Sequence, residues 1–346
     1  MNDIVFYYPQ GHEAHYEAGH PERPERIEVI RKALIEAGWW DKYPQLEPIA
    51  VPDDLLKSIH SLSYLDTLRA ACQKGAHLDL DTYTTTSSWD LAHSAAGGAL
   101  AVAEAVWRRD SKTGLALTRP PGHHATRDRG MGFCLLNNVA LAAENILTLN
   151  TDNFPSADRV AIIDIDLHHG NGTQDIFWNR DDVLYISTHQ SPLYPGTGGL
   201  EERGGGVGKG YTVNFPLPPG TGDTGFGVVI EEFILPILDQ YQPDMLLISI
   251  GFDPHWRDPL GHLSLSATGY GNLIYRMAAW SEMNCSGRIA LFLEGGYDLD
   301  AGAACLQAAV SALLNVEWQD YLGLSPRPEG ESWRPILREA HRILKI

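Results

Sequence analysis

The sequence predicts an α/β fold in which a mostly parallel sheet has helices on both faces. Short apolar segments rich in β-branched residues alternate with longer amphipathic segments along most of the 346-residue chain, as strands and helices do in such folds. No linker rich in proline, serine or charge divides the chain, and no internal repeat is visible, so we expect one domain over residues 1–346. Its core is expected at 3–315, with a helical extension at 329–346.

Eight strands and nine helices are predicted. The strands lie at residues 4–8, 48–51, 114–118, 160–165, 183–187, 211–215, 245–250 and 289–293. The helices lie at 24–37, 64–74, 88–109, 136–149, 173–178, 224–240, 267–282, 300–314 and 333–344. Loops rich in Gly, Pro and His follow four of the strands, and the carboxyl ends of parallel strands meet at one edge of a sheet. We therefore expect these loops to meet there; they are residues 119–125, 191–210, 251–261 and 294–298.

Composition excludes several classes of protein. A formal net charge of −18 argues against binding nucleic acid through its phosphates. No apolar run approaches the length of about 20 residues that a membrane helix needs, and the first residues resemble a strand rather than a signal peptide, so a cytoplasmic location is expected. Cys72, Cys134, Cys285 and Cys305 are scattered without a CxxC pair, which is typical of reduced thiols and offers no sulfur site for a metal.

A divalent metal site is predicted at the end of the strand that begins at Val160. Side chains alternate along an extended chain, so Asp164, Asp166 and His168 project to one side and can converge. Asp253, which follows another strand, could add a second carboxylate and leave one coordination position open, as in a catalytic zinc site. The alternatives are helix-capping aspartates, a solvated histidine pair and a turn-forming Asp-Pro.

Two further loops contain candidate catalytic groups. His123 and His124 could serve as electrostatic partner and general base to a water at the metal, with Asp164 and Asn171 fixing their tautomers. Tyr297 follows two glycines that would let its phenol donate to an oxyanion. Taken alone, the histidine pair could be a surface loop and the tyrosine a packing residue. His12, His15 and His20 are expected in a polar loop rather than at a second metal, and the glycine-rich residues 204–210 lack the lysine-serine ending of a phosphate loop.

Six motifs in order resemble those of the histone deacetylase and acetylpolyamine amidohydrolase superfamily. They are RPPGHHA at 119–125, GFCLLNN at 132–138, DIDLHHGNGTQ at 164–174, YPGTG at 194–198, GFD at 251–253 and EGGY at 294–297. With HPERPER at 20–26 the resemblance covers nearly the whole chain. It implies the arginase-deacetylase fold, an eight-stranded parallel sheet flanked by helices, with a single catalytic zinc.

The resemblance also implies residue roles. Asp166, His168 and Asp253 match the zinc ligands, His124 the general base and acid, His123 with Asp164 the electrostatic pair, and Tyr297 the phenol that polarises the carbonyl. Tunnel positions are matched by Phe133, Tyr194, Gly132, Leu260, Cys134 and Arg26, with Gly122 beside the acetyl pocket. Structural potassium is implied at two sites, one matched by Asp164, Asp166, His168, Ser187 and Thr188 and the other by Phe177, Arg180, Val183 and Tyr211.

Asn171 and the wording HHGNGTQ at 168–174 resemble class II members, and a class II-like, prokaryotic member is expected. Asn171 stands where class I members have an aspartate, so His124 is expected to be less basic. Tyr297 stands where the weakly active class IIa enzymes have histidine, which favours a competent catalyst. Leu260 stands where a polyamine-selective member has an acidic residue, which weakens polyamine preference by that route, although Asp79 and Asp81 remain as acidic rim candidates.

The sequence thus predicts a zinc-dependent amidohydrolase that removes acetyl or related acyl groups from acyl-lysine or another acylated amine. Three alternatives stay open: an acetylpolyamine or small acylamine deacetylase, an arginase-like ureohydrolase, and an inactive acyl-lysine-binding module. Acyl-chain preference, zinc against ferrous iron, and assembly into a homo-oligomer also stay open.

Overall fold

One sheet of eight parallel strands organises the computed structural model, which describes residues 1–149 and 154–345. The strands are β1 (Asn2–Tyr7), β2 (Gln45–Leu46), β3 (Ser111–Ala116), β4 (Val160–Asp164), β5 (Val183–Gln190), β6 (Thr212–Leu217), β7 (Met245–Ile250) and β8 (Ile289–Leu293). Their order across the sheet is β2-β1-β3-β8-β7-β4-β5-β6, and each neighbouring pair is parallel. The predicted α/β class with a parallel sheet is therefore confirmed.

Helices cover both faces of the sheet. They are α1 (Glu25–Glu36), α2 (Asp53–Ile59), α3 (Leu62–Lys74), α4 (Ser88–Trp107), α5 (Asn138–Thr148), α6 (Asn171–Phe177), α7 (Asp223–Val229), α8 (Leu235–Tyr241), α9 (Ala267–Asn284), α10 (Leu299–Leu314) and α11 (Arg334–Leu344). A π-helical turn, Ile230–Ile234, joins α7 to α8.

Strand β4 shows how the two layers arise. Ala161 and Ile163 pack into an apolar cluster with α1 and α7 to α11, whereas Val160 and Ile162 pack into the opposite cluster with α2 to α6. Every residue of β4 is buried because both of its faces are covered. Burial on both faces explains its continuous apolar run, which ends at Asp164.

One predicted strand was wrong, and one helix was not predicted. Residues 48–51 do not form a strand, because Pro48 has no N–H and that of Ile49 donates to the carbonyl of Gly97, 3.2 Å away. The edge strand is instead β2, which has only two residues. Helix α2 was not predicted, and the remaining boundaries differ from prediction by up to three residues.

The last helix packs against the main body of the chain. Leu337 and Ala340 of α11 are buried in the same apolar cluster as α7 to α10, and Trp333 joins them. All four cysteines are buried free thiols. Within residues 1–149 and 154–345, no helix combines the length and the apolar character required to cross a bilayer.

Candidate active site

Loops from five strands meet at one edge of the sheet and line a cavity of about 280 Å³. These loops follow β3, β4, β5, β7 and β8. The four loops that the sequence predicts to meet at this edge do so. The lining residues are Asp81, Pro121, His123, His124, Gly132, Phe133, Cys134, His168, Leu193, Tyr194, Leu260, Gly295 and Tyr297.

Asp166, His168 and Asp253 form a ligand cluster at this cavity. One ligand atom from each lies within 4.8 Å of the others, and Nδ1 of His168 is 3.4 Å from Oδ1 of Asp166 and 3.3 Å from Oδ2 of Asp253. Backbone N–H groups fix the carboxylates: Leu167 donates to Oδ1 of Asp253 at 3.1 Å, and Gly295 donates to Oδ2 of Asp166 at 2.8 Å.

The electrostatics of this cluster suit a cation. Burial raises the pKa of Asp253, and the neighbouring charge of Asp166 raises it further. Oδ2 of Asp253 is buried without a hydrogen bond of good geometry among the described residues. Burial lowers the pKa of His168, but its contacts with Asp166 and Asp253 outweigh this effect and raise it to about 9. The cluster therefore offers two buried carboxylates and an imidazole, and one carboxylate oxygen lacks a hydrogen bond. This set of donors fits a divalent metal.

Gly295 permits the close approach of the two carboxylates. A Cβ atom at this position would lie 2.3 Å from Oδ2 of Asp253 and 2.7 Å from Oδ2 of Asp166. Any side chain there would displace the ligand oxygens, so the cluster requires glycine after β8.

Asp164 does not belong to the ligand cluster. The alternation of side chains along a strand had predicted that it would converge with Asp166 and His168. Strand β4 ends at Asp164, so the strict two-residue alternation does not continue to Asp166 and His168. The Oδ2 atom of Asp164 lies 3.0 Å from Nδ1 of His123 and accepts a hydrogen bond from the hydroxyl of Tyr185 at 3.2 Å.

His123 and His124 occupy different electrostatic environments. Burial lowers the pKa of His123, but the charges of Asp166 and Asp164 outweigh this effect and raise it to about 10. His124 has its pKa well below its usual range because it is buried and lies near the charges of His123 and His168. Its Nδ1 is 2.8 Å from Oδ1 of Asn171; since that oxygen only accepts, Nδ1 holds the proton and Nε2 is the acceptor.

Tyr297 points into the cavity from the loop after β8. Gly296 has φ +111°, a conformation that favours glycine, and lets the chain turn toward the cavity. The buried side chain of Arg26 holds this turn: Nε donates to the carbonyl of Gly296 at 2.5 Å and Nη2 to that of Glu294 at 2.6 Å. Its guanidinium also lies 4.8 Å from the ring centroid of Tyr297.

Apolar and aromatic side chains form the outer walls. Phe133 packs edge-on against Tyr297, with centroids 5.9 Å apart, and Tyr194 packs edge-on against His124 at 5.3 Å. Phe133 has φ +69°, which is uncommon for a residue with a bulky side chain. Leu260, Gly132 and Cys134 line the same cavity, whereas Arg26 lies behind the Tyr297 loop.

The residues matched to potassium fall into two groups. Asp164 and Ser187 are register partners on β4 and β5, and Thr188 donates to the carbonyl of Asp164 at 3.4 Å. In the other group, the carbonyl of Phe177 accepts from the N–H of Arg180 at 3.0 Å, and that of Tyr211 accepts from Tyr185 at 2.8 Å. Val183 begins β5 nearby.

Several polar residues at the site were given no role from the sequence. The buried carboxylate of Glu294 accepts from the N–H of Gly122 at 2.7 Å and of His123 at 3.1 Å. It also belongs to a second group with metal-ligand spacing, completed by His123 and Cys134. A carboxylate ending a buried strand is the signal that singled out Asp164, and it could have identified Glu294. Asp258 had no signal beyond an Asp-Pro turn.

The side chains of His12 and His15 are buried, whereas Glu13 and Tyr16 in the same segment are exposed. Nε2 of His12 lies 2.9 Å from the hydroxyl of Tyr8, and Nδ1 of His15 lies 2.7 Å from that of Ser88. Arg119 forms a buried ion pair with Glu22, 2.7 Å between Nε and Oε1, and its Nη2 donates to the carbonyl of His15 at 2.6 Å, which secures this segment. His20 packs on Phe133 at 4.6 Å between centroids.

Comparison with known proteins identifies the family. The family described as "Histone deacetylase domain" matches residues 20–313. This chain belongs to the histone deacetylase family. It is 44% identical to a "Probable deacetylase" of Archaeoglobus fulgidus over 283 residues, covering 81% of this chain and 77% of that protein.

Two other histone deacetylase relatives agree. A "Histone deacetylase-like amidohydrolase" of Pseudomonas aeruginosa is 34% identical over 303 residues, covering 86% of this chain and 78% of that protein. The solved structure titled "Crystal Structure of HDA15 HD domain" superposes with a TM-score of 0.89 at 31% identity, covering 99% of this chain and 94% of that one. The chain is thus a deacetylase or amidohydrolase of this family, and its sheet is the histone deacetylase fold.

Proposed function

We propose that this histone deacetylase family member is a zinc-dependent hydrolase that removes acetyl or a related acyl group from the primary amine at the end of an extended chain. The proposal rests on one observation: the ligand cluster of Asp166, His168 and Asp253 adjoins a narrow cavity that also holds His124 and Tyr297. Acyl-lysine fits a cavity with apolar and aromatic walls.

Asp166, His168 and Asp253 would hold the zinc. Two carboxylates and one imidazole are a zinc donor set that leaves a position open, and the unsatisfied Oδ2 of Asp253 supports the fit. Zinc there would supply Lewis-acid chemistry, polarising the amide carbonyl and acidifying the attacking water. Ferrous iron suits the same donors, so the metal content of the purified protein decides between the two.

The chain's own residues supply the proton transfers. Nε2 of His124 is unprotonated and accepts a proton from the attacking water. The resulting imidazolium then protonates the leaving amine. Burial keeps the pKa of Tyr297 well above its usual range, so its phenol retains its proton and donates a hydrogen bond to the carbonyl oxygen as charge develops there. His123, held by Asp164, adds positive charge beside the site.

Potassium is proposed at the two groups described above. Oxygen ligands from Asp164, Asp166, His168, Ser187 and Thr188 would hold one ion. Carbonyl oxygens of Phe177, Arg180, Val183 and Tyr211 would hold the other, because a carbonyl with one hydrogen bond retains a second lone pair. Exchange of potassium for a large organic cation should then lower the melting temperature.

A chelation and substrate experiment tests the function. The purified protein should contain one zinc or iron per chain and hydrolyse an acetyl-lysine peptide; chelation should abolish activity and added metal should restore it. Asp253→Asn should lose metal and activity, whereas Asp175→Asn, which neutralises an exposed carboxylate on α6, should lose neither. If the metal-loaded protein hydrolyses no acylated amine, an inactive acyl-lysine-binding module becomes the favoured function. Two metal ions per chain would instead favour a ureohydrolase.

The natural substrate is addressed by competition. Acetyl-lysine peptides, acetylated polyamines and longer acyl-lysines should be compared by kcat/KM, since that ratio measures discrimination between competing substrates. We expect acyl-lysine to be preferred over acetylated polyamines, because Leu260 places an apolar side chain where a second ammonium group would need a carboxylate.

A further inference from the structure

Asp258 is a buried carboxylate that joins two loops of the cavity. Its side chain is 6% exposed, and it lies in the loop after β7. Oδ1 accepts the N–H of Leu260 at 3.0 Å, while Oδ2 accepts the N–H groups of Tyr297 at 2.6 Å and Asp298 at 3.2 Å. One side chain thus fixes the backbone on both sides of the cavity.

The Tyr297 end of this connection is rigid. Asp298 is the N-cap of α10, and its side chain accepts the N–H of Ala301 at 2.8 Å. On the other side of the turn, Arg26 holds the carbonyls of Glu294 and Gly296. Arg26 therefore restrains the turn through its carbonyl groups and Asp258 through its N–H groups, so that Tyr297 is fixed from both directions.

We propose that Asp258 is a positioning residue that sets the place of the Tyr297 phenol and its distance from the Leu260 wall. This inference rests on the proposed function, because it assigns Asp258 an effect on a hydrolysis step that Tyr297 assists. Asp258 touches no reacting atom in this scheme; it acts through the two backbone segments. A displacement of a catalytic group by about 1 Å can cost a hundredfold in rate.

The substitution Asp258→Asn keeps the shape of the side chain but leaves one acceptor oxygen instead of two. Its amide group would face at least one of the three N–H donors, so at least one bond is lost and the loops separate locally. Burial raises the pKa of Asp258 to about 7, and the charge of Asp253 contributes; the three N–H groups oppose this shift. Burial of this carboxyl group therefore costs free energy, which its three hydrogen bonds offset.

The half-buried neighbour Arg257 provides a matched control. It links the same two segments through ion pairs with Asp298 at 3.3 Å and Asp300 at 3.1 Å, but it makes no hydrogen bond to the backbone of Tyr297 among the described contacts. Arg257→Gln should leave kcat within about twofold, as expected for a solvent-accessible ion pair.

A double-mutant cycle tests the inference. Asp258→Asn should lower kcat ten- to a hundredfold with KM within about threefold, per metal-loaded site. In a Tyr297→Phe background the same substitution should change kcat less than about threefold, because the phenol that it misplaces is absent. Equal factors in both backgrounds would show a general structural role and overturn the inference. If Asp258→Asn does not fold, the same double-mutant cycle is measured with Asp258→Glu, which keeps the charge but shifts it by one methylene.

Hydrogen exchange supplies a readout that does not need activity. The amides of Tyr297 and Leu260 should exchange faster in Asp258→Asn than in the wild type and Arg257→Gln. Unchanged exchange would overturn the positioning role even if activity fell. A wild-type protein without hydrolase activity would instead refute the proposed function, while the exchange result would still decide whether Asp258 fixes both loops.

Discussion

The rings of His123 and His124 lie 4.0 Å apart, yet their Nδ1 atoms face acceptors of different charge. Nδ1 of His123 is 3.0 Å from the carboxylate of Asp164, whereas Nδ1 of His124 is 2.8 Å from the amide oxygen of Asn171. Under the proposed function, a buried cation beside a buried neutral imidazole would give the two adjacent histidines separate functions. The neutral one can accept a proton, and the charged one contributes electrostatically.

Asn171→Asp should make His124 more basic. A carboxylate at 2.8 Å would stabilise the imidazolium, so the acid limb of kcat/KM should move to higher pH by at least about one unit. The direction follows because a base with a higher pKa becomes deprotonated only at higher pH. A pH series of kcat/KM measures it, since this ratio reports the free enzyme. Asn272→Asp, which adds the same charge on the exposed side of α9, is the control; an unmoved limb in Asn171→Asp would contradict the general-base role of His124.

Tyr297→Phe should slow turnover without loss of metal. Loss of one donor to a developing oxyanion typically costs about a hundred- to a thousandfold in kcat. Because Tyr297 is not among the clustered ligands, metal content and circular dichroism should match the wild type. His124→Ala should show a comparable loss by removing the base. Unchanged deacetylation in either variant would eliminate the corresponding role.

The three residues of the ligand cluster could be predicted because their signals are local. The apolar run of β4 ends abruptly in Asp164 and is followed by Asp166 and His168, and Asp253 lies in the loop after β7. The common edge of a parallel sheet then brings these residues together, whatever the details of packing between helices. The same rule located Tyr297 and the histidine pair.

The remainder depends on contacts that no sequence pattern encodes. Strand β2 has two residues, too few for a periodic signal, and it exists because β1 offers it a free edge. Asp258 meets the N–H of Tyr297, 39 positions away, only because two loops fold over the same cavity. The position of Asp164 also depended on where β4 stops, which alternation alone does not determine.

Leu260→Glu should shift substrate preference toward cationic acylamines. Leu260 lines the cavity, so a carboxylate there would face a second ammonium group on an acetylated polyamine. At the effective dielectric constant of a protein surface, such a pair contributes enough for a change of at least about tenfold in relative kcat/KM. The ratio of acetylspermidine-type to acetyl-lysine hydrolysis measures it, and Leu260→Gln controls for polarity without charge. An equal shift in both variants would show that polarity, rather than charge, determines the preference.

His60 should make the protein less stable in acid. Nδ1 of His60 lies 2.9 Å from the carbonyl of Thr126, and Nε2 accepts the N–H of Asn137 at 3.0 Å, so the buried ring is held neutral. Burial lowers its pKa to about 4 from an ordinary value of 6.5. Above pH 6.5 the His60 ring is unprotonated in both the folded and the unfolded chain. Between pH 6.5 and 4 the ring binds a proton in the unfolded chain but not in the folded chain, so the free energy of unfolding falls as pH falls. The loss is about 3 kcal/mol when complete. Urea unfolding from pH 7.5 to 4 should show a shallower decline for His60→Gln than for the wild type, although the variant is less stable at pH 7.5; parallel declines would refute the assignment.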